Sequence, residues 1–457
     1  MGGRSLLSAR FARAGAFVGA LCLLGSGSAS ASPKVLITGL ASDGASAPPN
    51  DAFCRANYEI PCYSPSELQT AYGLNGLITA GIVGKGQTII LIESYGSPTI
   101  QQDLKAFDAA YGIKDPPSLT VLAPLGSVEW NPTLYPDQPN WAAETTLDVE
   151  WAHAMAPGAA IVVLTSPVDQ TEGVQGLPEF LALEKYALDN QLGNIISQSW
   201  GATENTLFLQ AAGPQGPKVI EDFSALYARA NLAQVTVLAA AGDTGSSGYT
   251  TTYSFYPFPT VDFPASSPLV TAVGGTSLFA DTSGNYQGET VWNDTVYGIL
   301  GAGGGGISQI YQEPDYQQLT LPPAVQAQLG GKRGLPDVSY NAAFSTPILI
   351  FASFPGAPAG PGWYFVSGTS EATPQWAAIV ADLNQYLGRP LGFLNPKLYA
   401  LGQSGRLEVR DITIGNNGLV GVPGATARGY SATPGWDLAS GWGTPNLAAL
   451  ASRLASR

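Results

Sequence analysis

Short, almost wholly apolar runs alternate with longer amphipathic segments along most of the chain. Residues 87–94 (QTIILIES), 118–124 (SLTVLAP), 159–166 (AAIVVLTS), 194–200 (NIISQSW) and 235–243 (VTVLAAAGD) are rich in Val, Ile, Leu and Ala. Runs of this length with no polar face predict strands buried on both sides. Residues 100–112, 141–153, 176–191 and 218–233 carry apolar positions at helical spacing and predict the helices between them. Such alternation predicts an α/β fold: one large domain with a parallel sheet and helices on both faces. In sheets of this kind, functional residues gather at the carboxyl ends of the strands. The domain is predicted to open at 63–74 (YSPSELQTAYGL), with Ser66 as a helix cap. The Gly-rich run 301–306 has no following Lys-Ser/Thr, which excludes a phosphate loop.

Composition adds limits. Apolar residues make up 45% of the 457-residue chain and charged residues 12%, a mix that supports a sizeable core. Residues 1–31 read as a signal peptide: Arg4, Arg10 and Arg13 precede a short apolar core and the Ala29-Ser30-Ala31 cleavage site. Cleavage there removes three Arg and no acid, so the net charge moves from −14 to −17. A secreted protein follows, with no membrane span after cleavage, because no later run reaches about 18 apolar residues. The acidity excludes nucleic acid as a partner. Residues 32–62 read as an irregular N-terminal arm, and 63–457 as the functional domain. Cys54 and Cys62, with seven residues between them in an exported chain, predict one local disulfide, with two free thiols as the alternative.

The most informative stretch is 366–383, VSGTSEATPQWAAIVADL. An apolar run meets Gly-Thr-Ser and then a helical pattern, which places Ser370 at a helix N-terminus. Unpaired N–H groups there can stabilise an oxyanion. Gly368 lets the chain turn, and Pro374 falls within the first helical turn. The pattern G-T-S-x-x-x-P resembles the nucleophile segment of the subtilisin clan. A second Gly-Thr-Ser at Ser277 lacks the Pro and the helix, and reads as strand and turn.

A serine nucleophile needs a base. The only histidine, His153, sits at a predicted helix end before Pro-Gly, where it can cap the C-terminus. A His153-based neutral serine peptidase is the weaker reading. Glu144 and Asp148, at i and i+4 in WAAETTLDVEW, share one helix face. Two carboxyls placed so repel unless they share a proton, and sharing raises a pKa. A surface acid patch is the alternative.

These stretches together resemble the sedolisin family, the serine-carboxyl peptidases. The resemblance covers about residues 63–447 and includes YSP…YGL, E-x-x-x-D, SQSWG, AAAGDTGSSG, FPASSPLVTAVGGTS, GGGGIS, RGLPDVSYNA, SGTSEATP, DITIGNNG and PGWDLASGWGTP in family order. It implies a subtilisin-like fold and a catalytic set of Ser370, Glu144 and Asp148, with Asp243 in the oxyanion hole. A Glu base and a protonated Asp243 imply work at acid pH. The family also implies an outer link from Glu93 to Trp200, and one Ca²⁺ ion held by Asp411 and Asp437 and the carbonyls of Ile412, Thr433 and Gly435. Peptides or proteins are the implied substrate, and a monomer is expected. Family members usually carry a long prosegment; only about 30 residues lie between the predicted signal and the domain start here. Glu371, beside the predicted nucleophile, has no assigned role. A secreted, non-catalytic binding protein on the same scaffold is the alternative function.

Overall fold

The computed structural model describes residues 38–39, 47–208 and 215–455. The predicted signal peptide and the start of the arm lie outside the described residues. The rest of the arm is less irregular than expected. It holds a short helix, α1 (Asp51–Asn57), and the predicted disulfide between Cys54 and Cys62.

The central sheet has eight strands among the described residues: β1 (Thr88–Ser94), β2 (Leu119–Leu122), β3 (Ala160–Ser166), β4 (Ile195–Gln198), β5 (Thr236–Ala240), β6 (Thr271–Ala280), β7 (Tyr286–Val291) and β8 (Val338–Asn341). Their order is β7-β6-β5-β4-β1-β3-β2, with β8 also paired to β6. Every pairing is parallel except β7 with β6. An antiparallel pair, β9 (Ile348–Ala352) and β10 (Gly362–Val366), forms a separate small sheet with the two-residue strand Thr38–Gly39, which pairs with β10.

Side chains alternate across each strand, and the core divides accordingly. Ile89 and Leu91 of β1 enter a core with α4 (Gln138–Met155) and α7 (Thr369–Leu387). Ile90 and Ile92 enter the opposite core, with α5 (Leu177–Asp189) and α6 (Gln215–Leu232). The same period sends Glu93 to the α4 side. Helix α3 (Ile100–Tyr111) packs beside α4. The short helix α2 (Pro65–Ala71) starts two residues earlier than Ser66 predicts. Ser64 is its cap, in a capping box with Glu67, because Pro65 takes the first helical position.

Helix α4 departs most from expectation. It is buried on every side from Trp141 to Met155, wedged between the sheet, α3, α7 and β9. Its predicted amphipathic pattern gives way to a mixture in which Glu144, Asp148, Glu150 and His153 are all fully buried. His153 faces away from the strand ends. Its Nε2 lies 3.0 Å from the Lys114 carbonyl and 3.3 Å from Asp108 Oδ1. It is nine residues, ~13 Å along the helix axis, from Glu144. Ser277 lies in mid-strand on β6, as expected, paired with Thr290.

Burial sets the pH response of the fold. Glu184 and Asp382 are fully buried, and desolvation alone pushes both carboxyls well above their usual range. Glu150 is pushed up by burial in the same way. Each keeps its proton in the fold but loses it in the unfolded chain above about pH 4. The stability each contributes is full below that pH and is lost as pH rises through the elevated folded value. The melting temperature is expected to fall by about 5 °C or more between pH 4 and pH 8. Glu184→Gln is expected to flatten that fall; a flat or rising wild-type profile would contradict it.

Candidate active site

Three parallel strands and two helices converge on one cluster. Glu93 is the next-to-last residue of β1, Ser199 follows β4, and Asp243 lies just after β5. Glu144 and Asp148 come from the middle of α4. Ser370 is the second residue of α7, immediately after β10 turns through Ser367 and Gly368. The helix begins there because Gly368 adopts φ 132°, a conformation side-chain-bearing residues rarely take. A Cβ at that position would also sit 2.8 Å from Asp243 Oδ2, so glycine is what admits Asp243. Pro374 is the sixth residue of α7, in its second turn and not in the first as expected, because the helix starts at Thr369, before the serine.

The predicted acids are brought together; Glu93, Glu144 and Asp148 are buried and Asp243 is partly so. Glu93, Glu144 and Asp148 are 0% exposed and Ser370 is 3% exposed. Desolvation drives the carboxyls upward, and their mutual repulsion adds to it for Glu93 and Glu144. Asp148 is pushed up to about 8 by burial, against the easing effect of the Ser199 hydroxyl and the neighbouring Glu93. The Ser199 hydroxyl donates to Asp148 Oδ1 at 2.9 Å. The Ser370 hydroxyl beside Glu144 favours its ionised form, although neither carboxyl oxygen of Glu144 makes a well-formed hydrogen bond among the described residues. Glu93, Asp148 and Glu144 thus form a row of acids ending on Ser370, with no cation among the groups that perturb them.

Asp243 has a different setting. Its Oδ1 accepts from the Thr369 backbone N–H at 2.7 Å and from the Thr369 hydroxyl at 2.7 Å. The Thr369 hydroxyl in turn accepts from the Gly242 N–H at 3.1 Å. Oδ1 is committed to accepting, so a proton on this carboxyl belongs on Oδ2. Burial pushes Asp243 up to about 6.

Two of the sequence expectations fare differently. Trp200 packs between Phe180 and Phe223 in the opposite core, and its Nε1 makes no hydrogen bond among the described residues. The expected link to Glu93 is therefore absent. The reason is parity: Ser199 points to the α4 side, and the next residue to the other. Ser199 itself, one residue earlier, was not anticipated, although it stands in the same SQSW run.

The candidate calcium segments also meet. Asp411 Oδ2 accepts from the Gly435 N–H at 2.8 Å, and Asp437 Oδ2 from the Thr433 N–H at 2.7 Å. Asp437 Oδ1 accepts from the Ala439 and Ser440 N–H groups, each at 2.9 Å. Ile412 packs against Val291 and Ala439 and fixes the segment that carries Asp411. Among the described residues, no N–H donates to the carbonyls of Ile412, Thr433 or Gly435. Two carboxylates beside three unengaged carbonyls suit a hard cation.

The family model described as the subtilase family matches residues 141–443, well over half of the chain. Kumamolisin from Bacillus sp. (strain MN-32) is 34% identical over 397 residues, which span 86% of this chain and 65% of kumamolisin. Sedolisin from Pseudomonas sp. (strain 101) is 31% identical, over 86% of this chain and 61% of that protein. Tripeptidyl-peptidase 1 from Rattus norvegicus is 31% identical over 68% of this chain and 51% of its own length. The chain thus spans between half and two thirds of the curated relatives it matches. A solved structure of Pseudomonas sedolisin, a serine-carboxyl proteinase in complex with two molecules of pseudo-iodotyrostatin, superposes with a TM-score of 0.68 at 27% identity, covering 87% of this chain and 99% of that one. Its fold, its strand-end cluster and these relatives together place the chain in the subtilase family, within the sedolisin group.

Proposed function

We propose that the chain is a secreted, acid-acting serine-carboxyl endopeptidase. The observation that carries this reading is the row of buried carboxyls, Glu93, Asp148 and Glu144, which ends on the Ser370 hydroxyl with no histidine in reach. Secretion rests on the signal-like segment 1–31.

In this reading Ser370 Oγ attacks the scissile carbonyl as Glu144 takes the serine proton. The carbonyl oxygen becomes an oxyanion, to which Asp243 donates from Oδ2. Glu144 then passes its proton to the leaving amine, and the C–N bond breaks to leave an acyl-serine. Water repeats the sequence, giving a proton to Glu144 and releasing the acid product and free Ser370. Asp148 shares its charge with Glu144 and Glu93 and is held by Ser199.

The pH dependence follows from the sign of each shift. Glu93, Glu144 and Asp148 hold at most one negative charge between them at acid pH, because each further charge is repelled and desolvated. Asp243 is neutral, and able to donate, only below about 6. Above that pH its carboxylate faces the developing oxyanion and opposes it. Cleavage of a denatured protein substrate is therefore expected to peak on the acid side of pH 6 and to fall at neutral pH. Glu144→Gln and Ser370→Ala are each expected to lower kcat at least about 1,000-fold. Activity that rises toward pH 7 and ignores Glu144→Gln would point to His153 instead. A folded, calcium-loaded sample that cleaves at no pH would leave a non-catalytic binding protein, or an enzyme lacking its prosegment, as the reading.

One Ca²⁺ ion bound by Asp411, Asp437 and the carbonyls of Ile412, Thr433 and Gly435 would pin the 433–443 turn to the segment before it. Asp437 is pushed up to about 6 by burial, and a bound cation would counter that. Calcium is expected to raise the melting temperature by several degrees at pH 7 and to do nothing for Asp437→Asn. An equal response in both proteins would remove the ion from this site.

A further inference from the structure

The acid beside the nucleophile takes no part in the scheme above, yet it is wholly buried. Glu371 is 0% exposed, in the first turn of α7. Its Oε1 accepts from Asn341 Nδ2 at 2.7 Å, and Asn341 is the last residue of β8.

The Asn341 amide leaves no freedom in this pairing. Its Oδ1 accepts from the Leu278 backbone N–H at 3.1 Å and from the Thr346 hydroxyl at 2.8 Å. Its Nδ2 donates to the Thr346 carbonyl at 2.8 Å and to Glu371. All four hydrogen-bonding positions of the amide are in use. The Leu278 N–H can only donate, so Oδ1 must face it and Nδ2 must face Glu371. Residue 371 is thereby required to be an acceptor.

The neighbouring backbone is tied to the same place. The Gly368 N–H donates to the carbonyl of Ala342, the residue after Asn341, at 2.8 Å. The Thr369 N–H donates to Asp243. Residues 368, 369 and 371 are each anchored, and Ser370 stands between them. Asn341 is anchored in turn, since its backbone N–H donates to Tyr72 Oη at 3.0 Å and Tyr72 Oη donates to Glu289.

We infer that Glu371 is a positioning residue for Ser370: its bond to Asn341 locks the first turn of α7 to the ends of β8 and β6, and so fixes where the serine meets Glu144. The inference rests on Ser370 being the nucleophile. A displacement of about 1 Å at a reacting group costs on the order of 100-fold in rate, so loss of this lock should appear in kcat and leave substrate binding nearly intact.

The test is steady-state kinetics at acid pH on a peptide substrate, with thermal melts, for wild type, Ser370→Ala, Glu371→Gln, Glu371→Asp and Glu371→Met. Glu371→Gln keeps an acceptor at the same reach and should retain kcat within about threefold. Glu371→Asp withdraws the acceptor by one methylene, and Glu371→Met fills the volume with no acceptor of comparable strength. Each should lower kcat about 30- to 100-fold in folded protein, with KM within about threefold. Glu371→Asp carries the test if Glu371→Met does not fold. Wild-type kcat in folded Glu371→Asp would overturn the inference, as would Glu371→Gln being as impaired as Glu371→Asp. Wild-type turnover lost in Ser370→Ala keeps the nucleophile reading intact in either case. A wild type with no Ser370-dependent turnover would sink that reading and this inference together.

Discussion

Removal of carboxyl groups from water is the constraint on which the rest of the structure depends. An ionised carboxylate in an apolar interior is costly, and the usual remedy is a cation. Helix α4 supplies no such partner to Glu144 or Asp148, and β1 supplies none to Glu93. The remaining remedy is protonation. Burial therefore does two things at once: it favours the protonated form of these carboxyls, and it gathers a set of them beside Ser370. The same desolvation acts on Glu184, Glu150 and Asp382, outside the cluster, so the tendency to keep carboxyls protonated extends across the domain and is not confined to the site.

The scaffold delivers this arrangement through parity and strand ends. In β1, alternate residues go to opposite cores, and Glu93 falls on the α4 face because Ile89 and Leu91 do. Parallel β1, β4 and β5 lie side by side and end at the same edge of the sheet, which brings Glu93, Ser199 and Asp243 near one another. Helix α7 starts at that edge, and its first turn is held by Thr369, Gly368 and Glu371. Hydrogen bonds thus orient Asp243, and the choice of glycine at 368 admits it.

Much of this was legible in the sequence. Strands 87–94, 159–166 and 235–243 were bounded to within a few residues because buried parallel strands are short and wholly apolar. The Glu144/Asp148 pair stood out because i and i+4 acids on a helix repel, and Ser370 because Gly-Thr-Ser leads into a helical pattern with Pro374 four residues on. Other features could not be read this way. Burial of α4 on all sides depends on α3, α7 and β9, which are remote in sequence. The place of Trp200 depends on which face the chain takes after β4. The Glu371–Asn341 bond joins positions 30 apart, and its logic emerges only when the Leu278 N–H is seen to fix the amide.

The central claim is that Glu144, within a proton-sharing acid row, makes Ser370 nucleophilic at low pH. The most direct measurement is the rate at which a serine-directed fluorophosphonate labels the folded chain between pH 3 and pH 8, with the adduct located by mass spectrometry in wild type and Glu144→Gln. The account predicts an adduct on Ser370, fastest on the acid side of pH 6 and reduced at least about 100-fold by Glu144→Gln. Labelling that rises steadily with pH and is indifferent to Glu144, or that falls on another serine, would contradict it.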